Sequence, residues 1–200
     1  MSGVHVRSYR DEDLPRLYEI CLRTAAAGED ATDLVSDPRL FGDVYAAPYA
    51  ALEPERAFVV DDGAGAAVGY VLGALDTRAF EERCEASWWP ALRARHPLGS
   101  AGDDLDGLLI GMIHGPHLAE EDTLREHPSH LHIDLLPEVQ GGGWGRRLME
   151  RLHDALRAGG SPGVHLGVST RNRRAIGFYH HLGYVELGAD DFTRRLGLRL

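Results

Sequence analysis

The chain has 200 residues, 44% hydrophobic and 26% charged, the composition of a soluble globular domain long enough to bury a core without staples. The formal net charge of -10 argues against broad nucleic-acid binding, and Cys21 and Cys84 stand far apart with no motif spacing, against a disulfide framework or a zinc ribbon. Every basic residue is arginine, so Schiff-base chemistry and a catalytic lysine are excluded.

The length predicts one domain, or one domain carrying an insertion. The polar start MSGVHVRSYRDED predicts no leader, and no apolar run reaches membrane-spanning length; the expected address is cytoplasmic. VHVRSYR alternates and predicts a strand. Leu14, Leu17, Ile20 and Cys21 then recur at helical spacing up to a stop at Gly28. DLVSDPRLFGDVYAAPYALEPE predicts one or two short helices broken by prolines, and RAFVVDDGAGAAVGYVLGALDT a hairpin turning at DDGAG. From about residue 78 to 129 the chain reads as a helical insertion with too few strong apolar positions for a core of its own. HLHIDLLP is a strand. WGRRLMERLHDALRAGG is a helix with a stripe at Leu148, Leu152 and Leu156. GVHLGVST is a strand, and NRRAIGFYHHLGY a helix capped by Asn172 and stopped at Gly183. YVEL and DFTRRLGLRL are late strands. Strands alternating with helices after an N-terminal hairpin predict a mixed α/β sheet.

Two local features stand out. The strand before Pro137 runs into Gly141, Gly142, Gly143 and Gly145, then directly into a helix. A strand, a glycine turn and a helix start aim backbone N–H groups and the positive helix end at one point, where a pyrophosphate fits. Around it, seven arginines between Gln140 and Ala175 (146, 147, 151, 157, 171, 173, 174) face only Glu150 and Asp154. A basic island beside a glycine loop in an acidic chain predicts a small polyanionic ligand. The spacing does not fit GxGxxG, because Arg146 stands where the third glycine belongs, and GxxxxGK[ST] needs a lysine.

The loop does fit Q-x-x-G-x-G, as Gln140, Gly143 and Gly145, after a strand and proline. A second pattern, N-x-x-A-x-x-[FL]-Y-x-x-x-G-[FY], is met by Asn172, Ala175, Phe178, Tyr179, Gly183 and Tyr184, with Leu166 and Val168 on the strand between. With both motifs in order, the stretch from Leu131 to Leu187 resembles the GNAT superfamily of acyl-CoA-dependent N-acetyltransferases. The insertion, with FGDVYAAPYALEPE before it and HLHIDLLP after it, is similar to a narrower group: the acetyltransferase-like domain of animal O-GlcNAcases and its free-standing bacterial relatives. The resemblance implies a GNAT fold, a mostly antiparallel central sheet flanked by helices, with acetyl-CoA as co-substrate and an amine as acceptor.

Carried over residue by residue, the backbone N–H groups from Gln140 through Gly141, Gly142, Gly143, Trp144 and Gly145 to Arg146 would cradle the pyrophosphate. Val139 leads into that turn. The open strand edge at Leu135 and Leu136 would pair with the pantetheine amides. Asn172 would bond the pantetheine arm or cap its own helix, with Ala175 and Phe178 one and two turns on. Arg146 and Arg173 are candidates for the CoA phosphates, Arg147 less so. Tyr179 stands where the family places the acid that protonates the leaving thiolate. On HLHIDLL, His130, His132 and Asp134 share one strand face by alternation. Asp134 is the first candidate base and His132 the second. A metal at His130-x-His132 lacks an obvious third ligand, so no metal is expected. His180 and His181 read as surface residues. Tyr45, Tyr49, Trp88 and Trp89 either line the acceptor side or pack the core. Two other readings remain open at this level: a catalytically inactive acyl-CoA-binding sensor or scaffold, and a regulatory domain using the loop for another nucleotide. The acceptor and the oligomeric state are not legible.

Overall fold

The computed structural model describes residues 3–200. Seven strands form one sheet: β1 (His5–Ser8), β2 (Ala57–Asp61), β3 (Ala67–Ala74), β4 (Ser129–Leu135), β5 (Gly163–Ser169), β6 (Val185–Ala189) and β7 (Thr193–Arg199). Their order is β1-β2-β3-β4-β5-β7-β6, antiparallel everywhere except between β4 and β5. The helices are α1 (Leu14–Leu22), α2 (Leu40–Tyr45), α3 (Ala47–Leu52), α4 (Thr77–Arg83), α5 (Trp89–Arg95), α6 (Leu105–His114), α7 (Glu121–Glu126), α8 (Trp144–Ala158) and α9 (Arg173–His181). No described helix is long and apolar enough to cross a membrane.

Alternation along the central strands sorts the helices to the two faces. Gly73 turns toward α8, and a Cβ there would lie 2.7 Å from Leu152, so the missing side chain lets the helix sit close. Leu148, Leu152 and Leu156 on α8 are fully buried. Tyr70 and Leu72 point to the other face, beneath α1 and α3, where Leu17, Ile20 and Cys21 are buried. Directly across the β3–β4 ladder, Tyr70 faces Asp134, Leu72 faces His132 and Ala74 faces His130. The three polar residues predicted to share a face therefore do so, and that face looks toward α1 and α3.

The segment between β3 and β4 is helical, as its pattern predicts. A π-helical turn at Cys84–Trp88 joins α4 to α5. Phe80, Cys84, Trp89, Leu92, Leu109, Ile110 and Ile113 bury their side chains in the same core as α1 and α2. These helices roof the open side of β4 and β5.

Candidate functional site

The site begins where the sheet comes apart. β4 and β5 pair only at Ser129↔Val164 and His130↔His165, and past that point β4 has no partner strand on this side. The Leu136 N–H donates to the Val68 carbonyl on β3 at 3.1 Å. Leu136 is thus held on the β3 side, and alternation turns the backbone of Ile133 and Leu135 into the gap. The expectation of an open edge at Leu136 is corrected by this bond: the free edge runs through Ile133 and the Leu135 N–H. At its end the Gln140 side chain donates from Nε2 to the Leu135 carbonyl at 2.7 Å, and its Oε1 accepts from Arg174 of α9. Gln140 thereby ties the end of β4 to α9 across the mouth of the gap.

Val139 closes a short turn after β4, bonding its N–H to the Leu136 carbonyl. The glycines follow. Gly141 and Gly143 lie in the left-handed region, with φ of 79° and 77°, and a Cβ on either would meet nothing within 4 Å. Both therefore bare the backbone to open space. Gly143 is the N-cap of α8, whose first N–H groups have no acceptor within the helix and carry its positive end. At Gly145 a Cβ would stand 3.2 Å from the Phe178 ring, so α8 and α9 meet closely there. Beside Gly142, Trp144 takes the Arg147 guanidinium over its ring at 4.4 Å, which turns Arg147 to packing. Arg146 stays half exposed, with Glu150 4.0 Å away, and Arg173 is exposed at the start of α9.

Asn172 Oδ1 accepts the Ala175 N–H at 3.0 Å, capping α9, while its amide nitrogen faces Gly28. One turn beyond Ala175, Tyr179 is buried between Phe178 and Tyr184, ring centroids 5.5 and 5.6 Å away. Its hydroxyl has no protein partner among the described residues, yet it is absent from the fully buried unpaired atoms, so it reaches accessible space. Burial raises its proton affinity, and the charge of Asp134 raises it further. Asp134 accepts the Tyr70 hydroxyl at 2.5 Å. Its own pKa is pushed up by burial and partly restored by that bond. The pair places a carboxylate of raised basicity near a phenol that holds its proton.

On the same face lies a cavity of about 1020 Å³ lined by α2–α7, β4, β5, β7 and the β6–β7 turn. His130, His132 and His165 open onto it, as do Tyr45, Tyr49 and Trp89. Trp88 does not; its Nε1 donates to the Asp43 carbonyl. Tyr49 sits between two imidazoles, 2.7 Å from His130 Nε2 and 3.1 Å from His132 Nε2. Burial holds both rings far toward the neutral form, His132 at about 4, with neighbouring imidazoles adding to the effect. His180 and His181 are exposed. Among the described residues no group of three or more His, Cys, Asp or Glu side chains is placed to hold a metal.

The sequence patterns do not mark Tyr70 or Thr77, and they count Arg174 only as one of the basic island, not as the partner of Gln140. Tyr70 is legible only as an apolar strand position, and its bond to Asp134 spans 64 residues of chain.

Fold and site together define a class: a sheet split between two parallel strands, with a glycine turn and a bare helix start at the mouth of the split. The sequence model described as Acetyltransferase (GNAT) family matches residues 74–184, and the chain belongs to that family. It is 26% identical over 185 residues to Protein O-GlcNAcase of Rattus norvegicus, which covers 91% of this chain and 20% of that one. The chain thus spans about a fifth of the curated relative it matches. The crystal structure of SsHAT is similar at 41% identity and a TM-score of 0.92, covering 99% of this chain and 98% of that one. The structure of yncA, a putative acetyltransferase from Salmonella typhimurium with its cofactor acetyl-CoA, shares the fold at 18% identity and a TM-score of 0.56, covering 100% and 95%.

Proposed function

We propose that this protein binds acetyl-CoA in the gap between β4 and β5 and transfers its acetyl group to an amine by direct attack on the thioester. The observation that carries the reading is the unpartnered edge of β4 ending beside Gly141 and Gly143, both left-handed and both open. An extended ligand with amides along its length and a pyrophosphate at its end fits that sequence of features: amides on the strand edge, phosphates on the loop and the start of α8. The yncA structure, which holds acetyl-CoA in this fold, supports it.

In this reading Ile133 and Leu135 pair with the pantetheine amides, Gln140 and Arg174 hold the mouth of the gap, and Arg146 and Arg173 meet phosphate oxygens. Asn172 caps α9, with its amide nitrogen toward Gly28. A neutral amine attacks the thioester carbon; the new C–N bond forms as the C–S bond breaks. The amine proton passes to Asp134, the basic carboxylate, with His132 next along the strand. Tyr179, protonated at neutral pH, donates its proton to the departing thiolate and takes one back from solvent afterwards. The helices of residues 78–129 belong to the same domain and wall the acceptor side.

A thermal-shift panel tests the binding half. Acetyl-CoA at about 100 times its Kd adds about 2.7 kcal/mol to the native state and raises Tm accordingly. NAD and ATP leave Tm unchanged. Equal shifts from all three would replace this reading with a generic pyrophosphate site.

A further inference from the structure

The cavity beside His132 has a definite chemical character. Its arginines are already committed: Arg93 to Glu85 at 2.5 and 2.8 Å, Arg78 to Glu81 at 2.7 Å and to Glu121 at 2.6 Å, Arg195 to Glu120 at 3.4 Å. Asp190 is bound by the N–H groups of Phe192 and Thr193. Glu82 lies exposed at the rim. Inward from these, the walls are aromatic rings and neutral imidazoles. Tyr49 stacks on Phe80 with centroids 4.5 Å apart.

The hydrogen bonds among those groups have one consistent direction. Thr77 Oγ1 is 2.6 Å from the Pro128 carbonyl, which can only accept, so the threonine proton goes there. His130 Nδ1, 2.8 Å from the same oxygen, must then donate. In a neutral ring this leaves His130 Nε2 as acceptor for the Tyr49 hydroxyl at 2.7 Å. With its proton spent, Tyr49 accepts from His132 Nε2 at 3.1 Å. His132 Nδ1 is left with a lone pair, and it is absent from the fully buried unpaired atoms. His165 repeats the pattern: Nδ1 donates to the His127 carbonyl at 2.8 Å, leaving Nε2 an acceptor. Both rings line the cavity.

We infer that the acceptor is a weakly basic amine borne on a flat ring and taken up uncharged, rather than an alkylammonium. The inference rests on the transferase reading for what happens next, but the recognition stands on the cavity alone. An ammonium entering this space loses water, while Glu81, Glu85 and Glu120 already hold arginines and the two carboxylates without an arginine, Glu82 and Asp190, stand exposed at the rim, where water screens them; the exchange is costly. An uncharged amine offers N–H donors to the bare imidazole nitrogens and lays its ring on aromatic faces. It also arrives with the lone pair that attack on a thioester requires.

The test uses two probes with the same ring, para-aminobenzamide and para-(aminomethyl)benzamide; the first is an arylamine, the second an alkylammonium at neutral pH. Calorimetric titration into the intact chain measures affinity, and thiol release from acetyl-CoA measures transfer. The arylamine is expected to bind at least about tenfold more tightly, a difference of about 1.4 kcal/mol. Tighter binding of the aminomethyl probe, or binding of neither, overturns the inference. Arylamine binding with no thiol release upholds the cavity's preference and counts against transfer, so the two failures are distinguishable. Arg93→Gln gives an independent check by releasing Glu85. It should raise the affinity of the aminomethyl probe about threefold, the scale of one exposed ion pair, and leave the arylamine unchanged. An equal response of both probes would mean that the pairing of charges does not set the preference.

Discussion

The two ends of the β4–β5 gap treat charge in opposite ways. At the glycine end, Arg146 and Arg173 stand exposed, Gly141 and Gly143 bare their backbone, and a helix start adds positive potential. At the cavity end every arginine has a carboxylate partner, and His130 and His132 are held neutral. A single sheet thus offers one site suited to a polyanion and another suited to an uncharged body. The difference comes from what covers each end: a turn of glycines with no side chains at one, helices α2 to α7 with their rings and ion pairs at the other.

The largest effect is expected from breaking the glycine end. Gly143→Val places a β-branched residue at a φ of 77° and puts its side chain into the space left for phosphates. Binding of acetyl-CoA should fall below detection in titration calorimetry while circular dichroism still reports a folded protein. Unchanged affinity would remove the phosphate cradle from the account. Arg146→Ala and Arg173→Ala sharpen the same comparison. Each should weaken CoA more than acetyl-pantetheine, by about 1.5–3 kcal/mol where a charge-assisted bond is lost. Equal losses for both ligands would make these arginines supports of the fold.

The smallest effect concerns buried imidazoles. His153, bonded to Tyr184 at 2.8 Å, is lowered to about 4 by burial, as His132 is. A histidine lowered in the folded state contributes stability that is complete above its unfolded value and is lost as pH falls through 6.5 toward 4. Between about pH 7.5 and about pH 5.5, His153 alone should cost about 1 kcal/mol, and a Tm measured across that range should fall by several degrees. In His153→Phe the slope should flatten. An unchanged slope would assign the acid sensitivity to other groups.

What the sequence made legible was local. The glycine turn before α8, the Asn172 cap and the shared face of His130, His132 and Asp134 follow from residue type and short periods, and each is where its pattern places it. The misses are matters of long-range packing. Leu136 looked like open edge, yet its N–H belongs to Val68, 68 positions earlier in the chain. Tyr49 lies 81 and 83 positions from the two histidines it joins, so no spacing could predict that it would bridge them. Arginine pairing in the helices at 77–126 was equally hidden, because the surplus of acid and base along the chain says nothing about which side chains meet. The glycine end could be anticipated from a motif; the character of the cavity required the packed helices.

The most direct test of the central claim is the turnover of Tyr179→Phe. The substitution keeps a ring that packs on Phe178 and Tyr184 and removes only a hydroxyl with no protein partner among the described residues. Acetyl-CoA affinity should stay nearly unchanged, while kcat for transfer to an amine should fall by roughly 10²–10⁴, the scale of a positioned acid. Wild-type turnover in the variant would contradict the acid role of Tyr179, and tight acetyl-CoA binding with no turnover by the wild type on any amine would contradict transfer itself.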